Sequence, residues 1–309
     1  MYNKMIKRTF NRKTYIILIV ISLLIFSQVC EGCSFFNNKE KLTASNSKKI
    51  TLSDEKTMMD TINSICTVSR AIGSSGEKKT CEVLKKQIQS YGYETQVQMV
   101  PYEYREQDQE KTGESQNLIA IKKGTSKHSK GTIIVSAHYD CEENSIGAND
   151  NASGVAVVME VARLLNKSSN DYEVRFILFG GEELASTGSR YYISQLSDND
   201  RKNIKANINI DSIAQKDHVN PCIFTVSGKG NFATTLLKNN SKNKDIILKK
   251  MNRERSDYVV FDKCGIPSLC IGQSYDENLN INGPQDKISI IDKTKLKLVA
   301  DMIITAMSK

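Results

Sequence analysis

Residues 132–154, TIIVSAHYDCEENSIGANDNASG, hold a short apolar run, then a histidine and two aspartates, then a turn of small residues. The run 132–137 (TIIVSA) is β-branched and bounded by polar segments, which predicts a buried strand delivering His138 and Asp140 at its C-terminal end. Side chains two apart on a strand share a face, so His138 and Asp140 can point into one crevice, one as ligand and the other orienting the imidazole. Taken alone, H-x-D reads equally well as a hydrogen-bonded histidine at a strand end. Residues 147–154 (GANDNASG) then open into the apolar stretch 155–165 (VAVVMEVARLL), a turn leading into a helix, with Asp150 in the turn. A carboxylate there also suits a helix cap.

Two later segments repeat the arrangement. Residues 174–179 (VRFILF) predict a second buried strand and run into Gly180, Gly181, Glu182 and Glu183; two acids straight after a buried strand are costly unless something positive meets them. Residues 206–210 (ANINI) predict a third strand, delivering Asp211. Three strand ends and one helix-opening turn thus present one histidine and several carboxylates. In an open α/β sheet, ligands bind in the crevice beyond the carboxyl ends of the strands. A cation with nitrogen and oxygen ligands explains the set economically, zinc first.

Together HYD (138–140), NDNASG (149–154), GGEE (180–183) and NID (209–211) resemble the co-catalytic zinc exopeptidases of the bacterial leucyl aminopeptidase type, whose fold the glutaminyl cyclases share. The resemblance spans roughly residues 54 to 309 and includes residues 69–94, SRAIGSSGEKKTCEVLKKQIQSYGYE. It implies a three-layer α/β/α sandwich around a mixed, largely parallel sheet. It also implies that His138 and Asp211 hold one metal, that Asp150 bridges two, that Glu183 belongs to the second, and that Asp140 supports His138. Glu182 would be the general base, and the peptide bond from Asp150 to Asn151 would be cis. In the implied reaction, zinc lowers the pKa of water towards ~7 and Glu182 passes the water's proton to the leaving amine of a peptide substrate.

The chain departs from the family pattern at two places. The last ligand is a histidine in H-T-P-x-D, and here Asn282, Gly283, Pro284, Gln285 and Asp286 stand in its place. An amide oxygen is a weaker donor than imidazole, so the second metal is expected to be weakly held, absent, or a harder ion such as magnesium or calcium. The chain has three histidines, and neither His128, in a lysine-rich loop, nor His218, expected in a solvated loop, matches the missing position. At Tyr258 relatives often carry histidine; the phenol reads either as a donor to an oxyanion or as a packed tyrosine on the pocket wall.

The amino terminus is a separate device. Lys4, Lys7, Arg8, Arg12 and Lys13 precede the apolar run 15–26 (YIILIVISLLIF), the layout of an export leader. Cys33 after Gly32 resembles a lipoprotein attachment site, and extension of the apolar run to Val29 suits an uncleaved anchor. The expected organisation is leader 1–33, polar tether 34–53 and catalytic domain 54–309, held at the outer face of the membrane or else secreted. The polar stretch 105–116 is expected to be a hairpin loop. The net charge of +8 falls by about half once the leader's five basic residues and one acid are set aside, and no nucleic-acid motif accompanies it.

Once export is accepted, disulfides become an option, with Cys66–Cys81 and Cys264–Cys270 as candidate pairs; Cys141 reads as a small buried thiol. The leading functional expectation is a zinc aminopeptidase at the cell surface. A silent relative that binds peptides or partners is the alternative favoured by Asn282. A glutaminyl cyclase is the third, and by resemblance its zinc would need the missing histidine.

Overall fold

The computed structural model describes residues 52–125, 129–240, 247–251, 256–276 and 278–308. They belong to one compact unit, Ile50–Lys309. The leader, most of the expected tether and His128 lie outside the described residues. Ser53 already belongs to the folded part, because its N–H and hydroxyl both donate to Asp301 Oδ1 at 2.7 Å.

Helices α1 (Glu55–Ile65) and α2 (Ser75–Ser90) precede a hairpin of β1 (Thr95–Glu106) and β2 (Gln109–Lys122). There follow β3 (Thr132–His138), a π-type turn (Ala148–Ala152), α3 (Ser153–Leu165), β4 (Glu173–Phe179), α4 (Thr187–Ser194), α5 (Asp198–Asn203) and β5 (Ile204–Asp211). The chain continues through β6 (Cys222–Thr225), α6 (Phe232–Asn240), β7 (Leu248–Lys250), α7 (Asp257–Lys263), β8 (Ser268–Gly272) and α8 (Lys293–Met307). The eight strands form one sheet in the order β1-β2-β4-β3-β5-β8-β6-β7. Its centre, β4-β3-β5-β8, is parallel, and antiparallel pairs join β2 to β4 and β6 to β8. This is the mixed, largely parallel sheet that the motifs implied.

Alternation along the strands separates two cores. Ile133, Val135 and Ala137 of β3 and Ala206, Ile208 and Ile210 of β5 pack beneath α1, α3 and α8. α3 is buried almost all round, as its sequence VAVVMEVA requires, because it lies between the sheet and those outer helices. On the opposite face Ile134, Ile177 and Phe179 meet Tyr192 of α4 and Phe261 of α7. His138 and Asp211 have the parity of this second face, where Ser136, Asn207 and Asn209 form a satisfied polar ladder: Ser136 Oγ donates to Asn207 Oδ1 at 2.9 Å and Asn209 Nδ2 to Ser256 Oγ at 2.9 Å.

Two expectations are corrected. The polar stretch 105–116 is mostly strand, not loop: the turn is only Gln107 and Asp108, both at positive φ (46° and 63°), the form of a two-residue hairpin turn. Its residues are polar because this end of the hairpin is exposed. Neither candidate disulfide is formed, and the six described cysteines are free. Cys66 faces Arg70 and the carbonyl of Gly147, while Cys264 is exposed at the end of α7 and Cys270 is buried in β8.

Candidate metal centre

The turn Ala148–Ala152 is fixed by side chains from both directions along the chain. Arg70, fully buried, donates its Nε to Tyr139 O at 2.6 Å and its Nη2 to Gly147 O at 2.9 Å, gripping the approach to the turn. Asp286 accepts the N–H groups of Asn149 (2.6 Å) and Asp150 (2.9 Å). Asn151 donates to Ile210 O at 2.8 Å and accepts from Gly154 N at 2.9 Å, and Asn149 Oδ1 accepts from Ala214 N at 2.7 Å. The turn is therefore stapled to the end of β5, and Gly154 must be glycine because a Cβ would strike Ile210 O and the Asn151 side chain. The peptide bond from Asp150 to Asn151 is cis, as the motif implied. Asp150 does not cap α3; the side chain that meets its first turn is Asn151, through the Gly154 N–H.

With the turn held in this way, His138 and three carboxylates converge. His138 Nε2 lies 3.1 Å from Asp150 Oδ1 and 3.5 Å from Asp211 Oδ1, and its Nδ1 lies 3.4 Å from Asp140 Oδ1. Asp140 also receives the backbone N–H of Glu182 at 3.1 Å and of Glu183 at 3.2 Å, one on each oxygen. A single carboxylate thus orients the imidazole and sets the turn that carries both glutamates. Ligand atoms of His138, Asp150 and Glu183 lie within 4.8 Å of one another.

The expected site residues are therefore together: His138, Asp140, Asp150, Glu182, Glu183, Asp211 and Asn282 form one group. With its amide nitrogen turned to the carboxylates, Asn282 donates to Glu183 Oε1 at 3.0 Å and to Asp150 Oδ2 at 3.2 Å; the opposite orientation would set oxygen against oxygen. Asn282 sits at φ 57°, a left-handed conformation that asparagine tolerates.

Tyr258 is fully buried and packs with Phe224, Met251 and Cys270, so it belongs to the core rather than to the pocket wall. His218 is not solvated: its ring is 3% exposed and Nε2 meets Asp276 Oδ2 at 3.1 Å, away from the ligand group. The motifs did not mark Asp257 or Tyr275, which nonetheless face the centre. Asp257 is fully buried with both oxygens unpartnered, and Tyr275 lines the cavity. Asp286 stood in the quoted segment, but nothing in the sequence showed that it grips the turn.

The electrostatics suit a cation. Burial, then the charge of Asp150, pushes Glu183 up to about 11, with His138 opposing. Burial holds Glu182 well above the usual carboxylate range, again against the pull of His138. Burial also raises Asp257 to about 7 and, together with the charge of Asp211, raises Asp150. For Asp211 burial is outweighed by the bond to His138 and by the hydroxyls of Ser256 and Ser212, and its carboxyl is lowered. Burial would strip the proton from His138, but Glu182 and the other carboxylates outweigh it and hold the ring well above its ordinary value. Both ring nitrogens are nonetheless buried without a hydrogen bond of good geometry. An orphaned imidazole facing several desolvated acids fits a divalent cation with nitrogen and oxygen ligands.

Residues 117–307 match the profile of peptidase family M28. The chain belongs to this family. Among its relatives, aminopeptidase YwaD of Bacillus subtilis (strain 168) is 34% identical over 203 residues, covering 62% of this chain and 44% of that protein. The chain thus spans less than half the length of that curated relative. Among solved structures, an aminopeptidase from Aneurinibacillus sp. strain AM-1 superposes with a TM-score of 0.76 at 23% identity, covering 82% of this chain and 93% of that one. A Porphyromonas gingivalis glutaminyl cyclase gives 0.67 at 20% identity, covering 82% and 97%. Both structures share the fold of this M28 chain.

A pH dependence follows from the raised groups. Without metal, native Glu183 keeps its proton up to about pH 11, whereas an unfolded glutamate releases it near 4.5. Native protein therefore holds protons that the unfolded chain has lost, and stability falls as pH rises through that window; His138, also raised, acts in the same direction above its ordinary 6.5. The metal-free protein is expected to melt at least about 5 °C lower near pH 8.5 than near pH 5.5. A flat or rising melting profile between those values would contradict the charge balance described.

Proposed function

We propose that the chain is a metal-dependent aminopeptidase that removes N-terminal residues from peptides outside the cytoplasm. The observation that carries the reading is the joint arrangement of His138, Asp150 and Asp211 beside Glu182, with Asp140 positioning both the imidazole and the glutamate, on the floor of a cavity of about 620 Å³. The residues fit one zinc held by His138, Asp150 and Asp211. When bound, such an ion supplies an electrophile that acidifies water and polarises a carbonyl.

The chain's own residues account for the remaining chemistry. Glu182, held by its backbone N–H on Asp140, is the proton carrier: it takes a proton from the attacking water and returns it to the departing amine. Its buried position favours this role, because a desolvated carboxylate binds a proton more strongly than a free one. Glu183 and Asp150 line the cavity beside Glu182 and offer carboxyl oxygens to the α-ammonium group of a peptide. Such acceptors suit the amino end better than the carboxyl end.

Asn282 does not suit a second metal. It offers such a metal only a neutral amide oxygen, a weaker donor than imidazole, and with no ion between them its N–H groups reach Glu183 and Asp150 instead. The same geometry counts against a glutaminyl cyclase, whose single zinc would sit at that position. The silent, binding-only alternative draws on Asn282 alone, whereas the arrangement around His138 and Glu182 is complete. The basic residues before the apolar run 15–26, with Cys33 behind it, support attachment at the outer face of the membrane.

Three outcomes are expected. Glu182→Gln should lower release of N-terminal residues from a mixed peptide set by about 10²–10⁴-fold with zinc content unchanged; undiminished release would remove Glu182 from the reaction. Asn282→His should raise bound zinc, measured by elemental analysis after dialysis, from about one to about two ions per chain. A native stoichiometry of two would refute the closed second position. Fatty-acid labelling should follow the protein and disappear in Cys33→Ser, and persistence of the label in that variant would exclude Cys33 as the anchor.

A further inference from the structure

The cavity has a chemically mixed lining. Its floor is the carboxylate group around His138. Its lining also includes two exposed cations, Arg190 of α4 and Lys263 of α7, and the apolar side chains of Val259, Val260 and Ile281. The two helices lie side by side, and Tyr192 and Phe261 pack between them with ring centroids 6.4 Å apart. Arg190 and Lys263 thus reach the cavity lining from two neighbouring helices.

Neither cation forms an ion pair among the described residues. Arg190 gives its Nε to Ala185 O at 2.7 Å. Ala185 and Ser186 both adopt left-handed backbone (φ 56° each), and this local fold brings the Ala185 carbonyl to the guanidinium. The rest of the guanidinium, and the whole Lys263 ammonium, have no acidic partner among the described residues. Some exposed cations do pair, as Lys56 with Asp60 at 2.6 Å, Lys130 with Asp171 at 2.6 Å and Arg201 with Asp198 at 3.0 Å, and others do not; what sets Arg190 and Lys263 apart is that both line the cavity that holds the acids.

We infer that Arg190 and Lys263 bind a carboxylate on the part of the substrate that follows the scissile bond, so that the preferred substrates are peptides carrying an anionic group one or two residues from the amino end. The inference rests on the aminopeptidase reading above. The acidic group around His138 holds the α-ammonium, the apolar lining holds the first side chain, and the two cations hold the carboxylate. A short peptide with both termini free has this charge pattern along its length. An acidic side chain just after the first residue would present the same group within a longer peptide. Guanidinium suits the task because its planar donors match a carboxylate in pairs, while the ammonium adds charge without fixed geometry.

The test reads binding separately from turnover. Full-length zinc-loaded Glu182→Gln protein is titrated calorimetrically with Ala-Ala, Ala-Ala-amide, Ala-Glu-amide and Ala-Gln-amide. Ala-Ala is expected to bind about fivefold more tightly than its amide, the scale of two exposed charge contacts. Ala-Glu-amide should exceed Ala-Gln-amide if a side-chain carboxylate is accepted, and match it if only a terminal carboxylate is. The Ala-Ala preference should fall to about one in Arg190→Gln/Lys263→Gln, and should shrink as salt is raised, because both cations are exposed. Equal affinity within both pairs, a preference that survives the double substitution, or no binding by any of the four peptides would each overturn the proposal. Equal affinities alongside normal N-terminal release by the unsubstituted protein would leave the aminopeptidase reading standing and remove only this one.

Discussion

The structure depends on a concentration of negative charge at the C-terminal ends of its central strands. Asp140, Asp150, Glu182, Glu183, Asp211 and Asp257 are brought around one imidazole in a desolvated floor, where burial and neighbouring acids hold Asp150, Glu182, Glu183 and Asp257 above the usual carboxylate range. The His138 ring nitrogens and the Asp257 oxygens lack hydrogen-bond partners there. The sheet, the turns that follow its strands and the side chains that grip those turns all serve to hold acids where a cation can balance them.

Two carboxylates do the holding and take no direct part in the chemistry. Asp140 accepts the backbone N–H groups of Glu182 and Glu183, so the two glutamates leave β4 in fixed and different directions. Asp286 does the same for Asn149 and Asp150, and Arg70 secures the carbonyls just before them. Partners from residue 70 and residue 286 meet at one five-residue turn. The ends of the domain are thereby tied to its centre, and the position of Asp150 depends on the fold as a whole.

Asn282 makes the site asymmetric. Histidine there would present a basic lone pair to a metal, whereas the amide offers a weaker oxygen on one side and N–H donors to Glu183 and Asp150 on the other. The half of the centre built on His138 and Asp211 keeps its imidazole, and the other half has none. The same cavity is lined by these acids and by the cations Arg190 and Lys263.

Most of the fold and the membership of the site were legible in the sequence because they follow from local rules. Period-two alternation and β-branched runs mark β3, β4 and β5, and polar residues placed directly after such runs can only emerge at strand ends. The turn and helix at residues 147–165 were legible for the same reason, since GANDNASG has turn chemistry and VAVVMEVARLL cannot be solvated. Where local pattern and tertiary context compete, the sequence misled. The polar stretch 105–116 looked like a loop because an exposed hairpin needs no apolar alternation. His218 looked solvated because its burial depends on Asp276, far along the chain. The disulfide candidates looked reasonable because spacing says nothing about the direction in which a thiol points. Tertiary structure alone decided that Asn282 meets Glu183 and Asp150, that Asp140 positions both glutamates, that Asp257 and Tyr275 join the centre, and that Arg190 and Lys263 line the same cavity. The physical reason is common to all of these. Composition and periodicity determine what each segment buries, but a hydrogen bond or charge contact between distant segments exists only once the chain has closed on itself.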